Sequence, residues 1–255
     1  MFYKKIHRHL ALFAIATSLQ PIAFSIFSAD ANAQNFEPPD DQPAPTVTLG
    51  GGRRRLDSDG KCPKDRDIQP TDVTPKPSES LEQRLIPLLP SHSRFGITVL
   101  SNPTFFVYVP KTSAIAVEFT LENHQGRGIY QQRVNLISSP SIVSFQLPTT
   151  TSLELGKDYK WLVSVVCETG DPEDTFSEGI VRRIQPNTAL MAQLDKASAN
   201  DRVSLYRKFG IWHEALTDLA KLRLAQPGSA ELQATWQNLL KASGLESLAN
   251  APLKN

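Results

Sequence analysis

Cys62 and Cys167 are the chain's two cysteines, and their thiols are its most definite reactive groups. In an oxidising compartment an even count invites pairing. Closing the loop between positions 62 and 167 would be worth about 4–5 kcal/mol in the chain-entropy model. It would also staple the segment around Cys62 to whatever carries Cys167. The alternative is two free thiols, one buried and one in a linker.

Other chemistry is sparse. Beyond residue 33 the histidines are His92, His124 and His213, far apart and without Cys-x-x-Cys or His-x-x-x-His spacing. That pattern predicts no metal site and reads each histidine as a surface or capping residue. Asp57-Ser58-Asp59-Gly60 hints at a calcium loop, but an EF-hand would need acids where Arg55 and Arg66 stand. A Gly-x-Ser-x-Gly elbow, a phosphate loop and a dinucleotide fingerprint are absent from the sequence. A thiol enzyme would want a free cysteine near a histidine, whereas Cys167 reads as a strand end. Glu173 and Asp174 follow Pro172 and read as a solvated turn rather than a glycosidase pair. The expectation is a non-enzyme with no catalytic, cofactor or metal residues.

Binding has two faint candidates. Arg53, Arg54 and Arg55 follow Gly50-Gly51-Gly52 and could grip a phosphate, a carboxylate or an acidic glycan. Asp57, Asp59, Asp65 and Asp67 lie close by, so a local contact or a solvated linker explains them as well. Phe106 and Tyr108 share one face of a strand whose other face carries Phe105, Val107 and Val109. That strand is either buried on both sides, under C-terminal helices, or exposed as an aromatic platform for a sugar or peptide. Arg182 and Arg183, near the end of the last strand, read as solvated charge.

These residues need elements to position them. The chain opens with a basic Lys4, Lys5 and Arg8, an apolar run Leu10–Leu19, and a small-x-small site Ala31-Asn32-Ala33. This is the pattern of a signal peptide cleaved near Ala33, with the remainder working in the periplasm or outside the cell. Pro21 and Asp30 interrupt what a membrane anchor would need, and no later stretch reads as a transmembrane helix. Setting aside the three bases and one acid of residues 1–33 leaves 24 bases and 25 acids of the chain's 27 and 26. That balance argues against nucleic acid as a partner.

Residues 34–80 hold eight of the nineteen prolines and few large apolar side chains, which predicts an extended, mobile linker. Residues 81–184 read as seven or so short strands. Ile115, Val117, Phe119 and Leu121 alternate with small or polar residues, as do Val143, Phe145 and Leu147, and Tyr159, Trp161, Val163 and Val165. Residues 185–255 change to a helical period, with Leu190, Leu194 and Ala197 on one face and a further helix capped by Ser229 and ending near Gly244.

Leu153-x-Leu155-Gly156-x-x-Tyr159-x-Trp161-x-Val163 resembles the strand E to strand F junction of fibronectin type III domains. There the tyrosine bonds backbone upstream. Tyr206, Gly210, Ala215, Leu219, Leu222 and Pro227 resemble a single tetratricopeptide repeat. Leu85–Pro90, Asn102–Pro110, Gly156–Trp161 and Phe209–Leu216 together resemble the cyanobacterial domain-of-unknown-function family numbered 928. That resemblance implies export in a cyanobacterium and no activity. The predicted fold is α+β: an antiparallel immunoglobulin-like β-sandwich followed by a small C-terminal helical hairpin unit. The expected role is a protein–protein adaptor in the cell envelope. A glycan-binding module for peptidoglycan or exopolysaccharide is the alternative, and an unrecognised hydrolase the third.

Overall fold

Alternating apolar residues build two sheets whose inner faces meet. A computed structural model describes residues 36, 39, 42–46, 62, 84–167 and 172–254. Residues 1–33, read above as a signal peptide, Arg53, Arg54, Arg55 and Asp57–Gly60 lie outside the described residues, as does most of 34–80.

The strands are β1 (Ile86–Pro87), β2 (Phe95–Thr98), β3 (Thr104–Val109), β4 (Ala116–Glu122), β5 (Gly128–Asn135), β6 (Ser141–Gln146), β7 (Asp158–Val166) and β8 (Pro172–Arg183). One sheet has the order β1-β3-β6 and the other β2-β8-β7-β4-β5. Aromatic rings lock the sheets together. Phe105 on β3 lies 4.9 Å from Phe119 on β4 and 5.1 Å from Trp161 on β7. Phe145 on β6 stacks on Phe119 at 5.2 Å. Such ring pairs add to the burial that drives the sheets together.

The expectation of an antiparallel sandwich needs one correction. β2 runs parallel to β8, pairing Phe95 with Ile180 and Thr98 with Arg183. Parallel neighbours need a long crossover, and here most of both sheets lies between them in sequence. Pro172–Arg183 is one long strand, so Glu173 and Asp174 belong to β8 and not to a turn. Ile115 precedes β4 and is 49% exposed, leaving Val117, Phe119 and Leu121 as the buried face.

Four helices follow: α1 (Thr188–Leu194), α2 (Ala199–Lys208), α3 (Trp212–Ala225) and α4 (Ala230–Ala242). Asn187, Ser198 and Ser229 cap α1, α2 and α4 by accepting from the backbone N–H three residues on. α1 ends before Ala197, so its buried face reduces to Leu190. Gly210, with φ 66°, makes the left-handed turn from α2 to α3. α3 has buried residues on several sides of its first turns, from Trp212 to Thr217, because it packs against β2 and β3 as well as its neighbour helices. All described residues belong to one compact unit, Ala33–Asn255.

Two segments of the supposed mobile linker are docked on this body. Cys62 and Cys167 form a disulfide across a separation of 105 residues. The ring of Phe36 meets Trp212 edge-on at 4.7 Å, and its N–H donates to the carbonyl of Ala242. The apolar ring of Phe36 gains burial there, which composition averaged over the whole segment conceals.

Close approach of β8 to its neighbours depends on Gly179. A Cβ there would lie 2.3 Å from Leu89 Cδ1 and 2.9 Å from the Trp161 ring, while one on Gly228 would meet nothing within 4 Å. Gly179→Ala should lower the urea midpoint, costing about 1–3 kcal/mol as an overpacked core does, and Gly228→Ala should leave the midpoint nearly unchanged.

Candidate functional site

Strand alternation puts Val181 on the core between the sheets and Arg182 on the opposite face of β8, beside Ile180 and Phe95, where it is nevertheless buried. It stays there because Asp158 sits directly opposite it on β7. Arg182 Nε donates to Asp158 Oδ1 at 2.7 Å and Nη2 to Oδ2 at 2.9 Å, with the two side chains 3% and 0% exposed. The expectation that Arg182 is solvated is therefore wrong. Arg183 points the other way, half-buried, and donates to the carbonyl of Leu153.

The remaining polar atoms of this pair are met by the N-terminal segment. Arg182 Nη1 donates to the carbonyl of Pro43 at 2.6 Å and Nη2 to that of Ala44 at 3.2 Å. The backbone N–H and the hydroxyl of Thr46 both donate to Asp158 Oδ2. The guanidinium also lies 5.1 Å from the centre of the Phe95 ring. Burial alone would raise the Asp158 carboxyl, but the bonds from Arg182 and Thr46 outweigh it and hold the group below its usual range.

A second polar cluster opens α3. Trp212 Nε1 donates to the carbonyl of Leu88 at 2.8 Å. His213 Nδ1 lies 3.1 Å from the carbonyl of Thr104, so that nitrogen carries the proton. Thr98 donates its hydroxyl to Glu214 Oε1 at 2.5 Å and Val99 its N–H to Oε2. His213 is thus a buried anchor, not the surface or capping residue expected. Burial pushes its pKa down to about 4, and burial pushes Glu214 up to about 7 against the bonds it accepts. His213 Nε2 has no hydrogen-bond partner and faces Gly96, where a Cβ would come within 2.6 Å of it. His213 Nε2 is therefore packed against the β2 backbone at Gly96.

Phe106 and Tyr108 are 7% and 5% exposed. They belong to the same buried cluster as Trp236, Leu239 and Leu240 of α4, so neither forms an open stacking platform. His92 and His124 are exposed. Among the described residues no group of three or more His, Cys, Asp or Glu side chains is placed to hold a metal ion.

Among the described residues, no strand lies beside the outer edge of β5. β5 pairs with β4 and ends its sheet. The N–H of Leu136 donates to Ile115 and that of Asn123 to Arg127, which sets Tyr130, Gln132 and Val134 as the residues bonded to β4. The backbone groups of Gln131, Arg133 and Asn135 then point outward; the alternation stops at Ile129, the extra residue of the register shift opposite Leu121 and Glu122. Gln131, Arg133 and Asn135 are exposed, and Ile137 beyond them is 88% exposed. The small sheet is treated differently: its β6 edge is met by the C-terminal segment, Ile142 bonding Pro252 and Lys254.

A family model described as Domain of Unknown Function (DUF928) matches residues 50–253. The chain belongs to this family. No curated relative matches the DUF928 chain. Among solved structures it is similar to the fn3 domain of human collagen alpha-1(XX) chain, at 15% identity over 35% of this chain and 76% of that one, with a TM-score of 0.26. It is also similar to CopC from Methylosinus trichosporium OB3b, at 12% identity over 40% of this chain and 97% of that one, with a TM-score of 0.28.

The Asp158–Arg182 and Glu214 sites were missed in the sequence because nothing local marks these charges as buried: Asp158 stands beside Lys157 and Arg182 beside Arg183, as surface charges do. Their partners lie on other elements. Asp158→Ala would leave Arg182 buried and unpaired, and should cost about 3–5 kcal/mol in chemical denaturation. Glu214 is raised from 4.5 to about 7, so its contribution is present below pH 4.5 and is lost as pH rises through about 7. His213 is lowered from 6.5 to about 4, so its contribution is present above pH 6.5 and is lost as pH falls through about 4. The two oppose each other. Glu214→Gln should therefore gain stability relative to the wild type as pH rises from about 4.5 to about 7, by about 3 kcal/mol, in denaturation curves taken across that window.

Proposed function

We propose that this DUF928 protein is an exported, non-catalytic adaptor of the cell envelope that takes an extended strand of a partner protein onto β5. The observation that carries the reading is the edge of that eight-residue strand, beside which no described strand lies. Open edges of this length are usually blunted, because they recruit other chains. The β5 edge contains no lysine or proline, and its Arg133 is drawn to Glu118 on β4. An added strand would find outward backbone groups at three alternate positions, Gln131, Arg133 and Asn135, and an apolar contact at Ile137.

Export is supported by the signal-like start, Lys4 to Ala33, and by the disulfide, which suits an oxidising compartment. Among the described residues no helix is long and apolar enough to cross a membrane. The non-catalytic part rests on the packed surroundings of His213 and Glu214, whose shifted pKa values would otherwise mark a reactive site. An immunoglobulin-like sandwich is part of the proposal, supported by the N–H of Glu154 donating to the Tyr159 hydroxyl at 3.0 Å. A tetratricopeptide-like pairing of α2 with α3 is supported by the fully buried Ala215 at their close approach. Burial of Phe106 and Tyr108 speaks against those two residues as a glycan surface, while Arg53, Arg54 and Arg55, the other candidates for an acidic glycan, lie outside the described residues.

Gln131→Pro deletes one outward N–H while leaving the β4 ladder intact. Crosslinking the tagged chain in its native cells should recover one recurrent envelope protein, and Gln131→Pro should lose it without lowering the melting temperature by more than a few degrees. Equal recovery by both forms would overturn the β5 assignment. Retention in a polysaccharide fraction, with no protein recovered, would overturn the adaptor reading.

A further inference from the structure

Residues 43–46 belong to neither sheet, yet among the described residues they take every hydrogen bond that the Asp158 and Arg182 side chains do not make with each other. Arg182 donates to the carbonyls of Pro43 and Ala44, and the Asp158 carboxylate accepts from the Thr46 N–H and from its hydroxyl, the latter at 2.7 Å. Pro43, Ala44 and Thr46 are themselves exposed, while the pair is 3% and 0% exposed. The segment is therefore held by its main chain and one hydroxyl rather than by apolar burial.

A guanidinium fork beside a carboxylate reads a peptide in this way: two consecutive carbonyls, then an N–H and a hydroxyl two residues on. Pro43 and Pro45 each fix their own φ, so a free segment of this sequence has little backbone freedom to lose on binding. A buried ion pair is weak support for stability, since well-packed apolar residues at facing strand positions serve as well. Its outward donors and acceptors suit recognition. The disulfide at Cys62 and the contact of Phe36 with Trp212 anchor the chain on either side, so residues 43–46 can leave the pair without leaving the body.

We propose that Asp158 and Arg182 form a binding site for a Pro-x-Pro-Thr segment of another protein, and that residues 43–46 fill it in cis as an intramolecular competitor. A second copy of this chain would exchange like for like, gaining no bond and losing the advantage of the tether. A different protein can add contacts beyond the shared four residues, and displacement requires that surplus. The site is separate from the β5 edge and does not rest on the β5 assignment.

The test uses the full mature chain and a fluorescein-labelled peptide of residues 42–47, capped at both ends, with anisotropy giving the affinity. Thr46→Val in the chain weakens the competitor and leaves the pair untouched, and thermal melting checks that the fold is kept. This variant should bind the peptide at least about tenfold more tightly than the wild type, because the competitor has lost a hydrogen bond to a charged group. A peptide bound anywhere else would gain nothing from the substitution. Exchanging the peptide's own threonine for valine should weaken its binding to the variant about tenfold. No binding to the variant at millimolar peptide, or equal affinity for variant and wild type, would overturn the proposal and leave residues 43–46 a fixed strap. Concentration-dependent dimers of the wild type that Thr46→Val abolishes would overturn the choice of partner and make it a second copy.

Discussion

Three consecutive residues at the start of α3 must bury polar atoms, and the way they do so sets how the molecule is put together. Trp212, His213 and Glu214 reach three separate segments: the Leu88 carbonyl after β1, the Thr104 carbonyl at the start of β3, and Thr98 with Val99 at the end of β2. A buried donor or acceptor left unmet costs about 1–3 kcal/mol, so these bonds specify where α3 sits as much as they stabilise it. Gly96 lets the helix approach closely enough for His213 to reach its partner. The helical layer is thus a wall of the sandwich's core. Removing it would expose apolar surface and strip partners from buried polar groups.

The same constraint draws in the N-terminal segment. Asp158 and Arg182 satisfy each other across β7 and β8, yet their remaining lone pair and N–H groups face Pro43, Ala44 and Thr46. A buried ion pair is tolerable when its outer hydrogen bonds are also made. Together with the Cys62–Cys167 bridge and Phe36 on Trp212, these bonds hold three points of a proline-rich stretch against the body. Among the described residues nothing pairs with the far edge of the large sheet, β5, where Gln131 and Arg133 are exposed.

Legibility in the sequence followed the physics of each feature. Alternation marked β4, β6 and β7, because each has one face on the core and the period of two is local. Tyr159 and its upstream bond were also local, lying within a single turn. Partnership between distant residues was not legible. The parallel pairing of β2 with β8 joins segments at opposite ends of the sandwich. Arg182 and Glu214 looked like surface charge or went unremarked, since a charge declares itself buried only when its partner is known. Proline content predicted mobility at residues 36 and 42–46, where specific bonds decide the outcome instead. His213 was misplaced for the same reason.

The central claim is that strands and helices form one cooperative body, joined through α3. Native-state hydrogen exchange on the disulfide-intact protein tests it most directly. The account predicts that amides of α3 from Leu216 to Ala220 open with the same free energy as those of β7 from Trp161 to Val165, both at the global value. Opening of α3 at a markedly lower free energy, with β7 still protected, would contradict it and make the helices a separate unit resting on a self-sufficient sandwich.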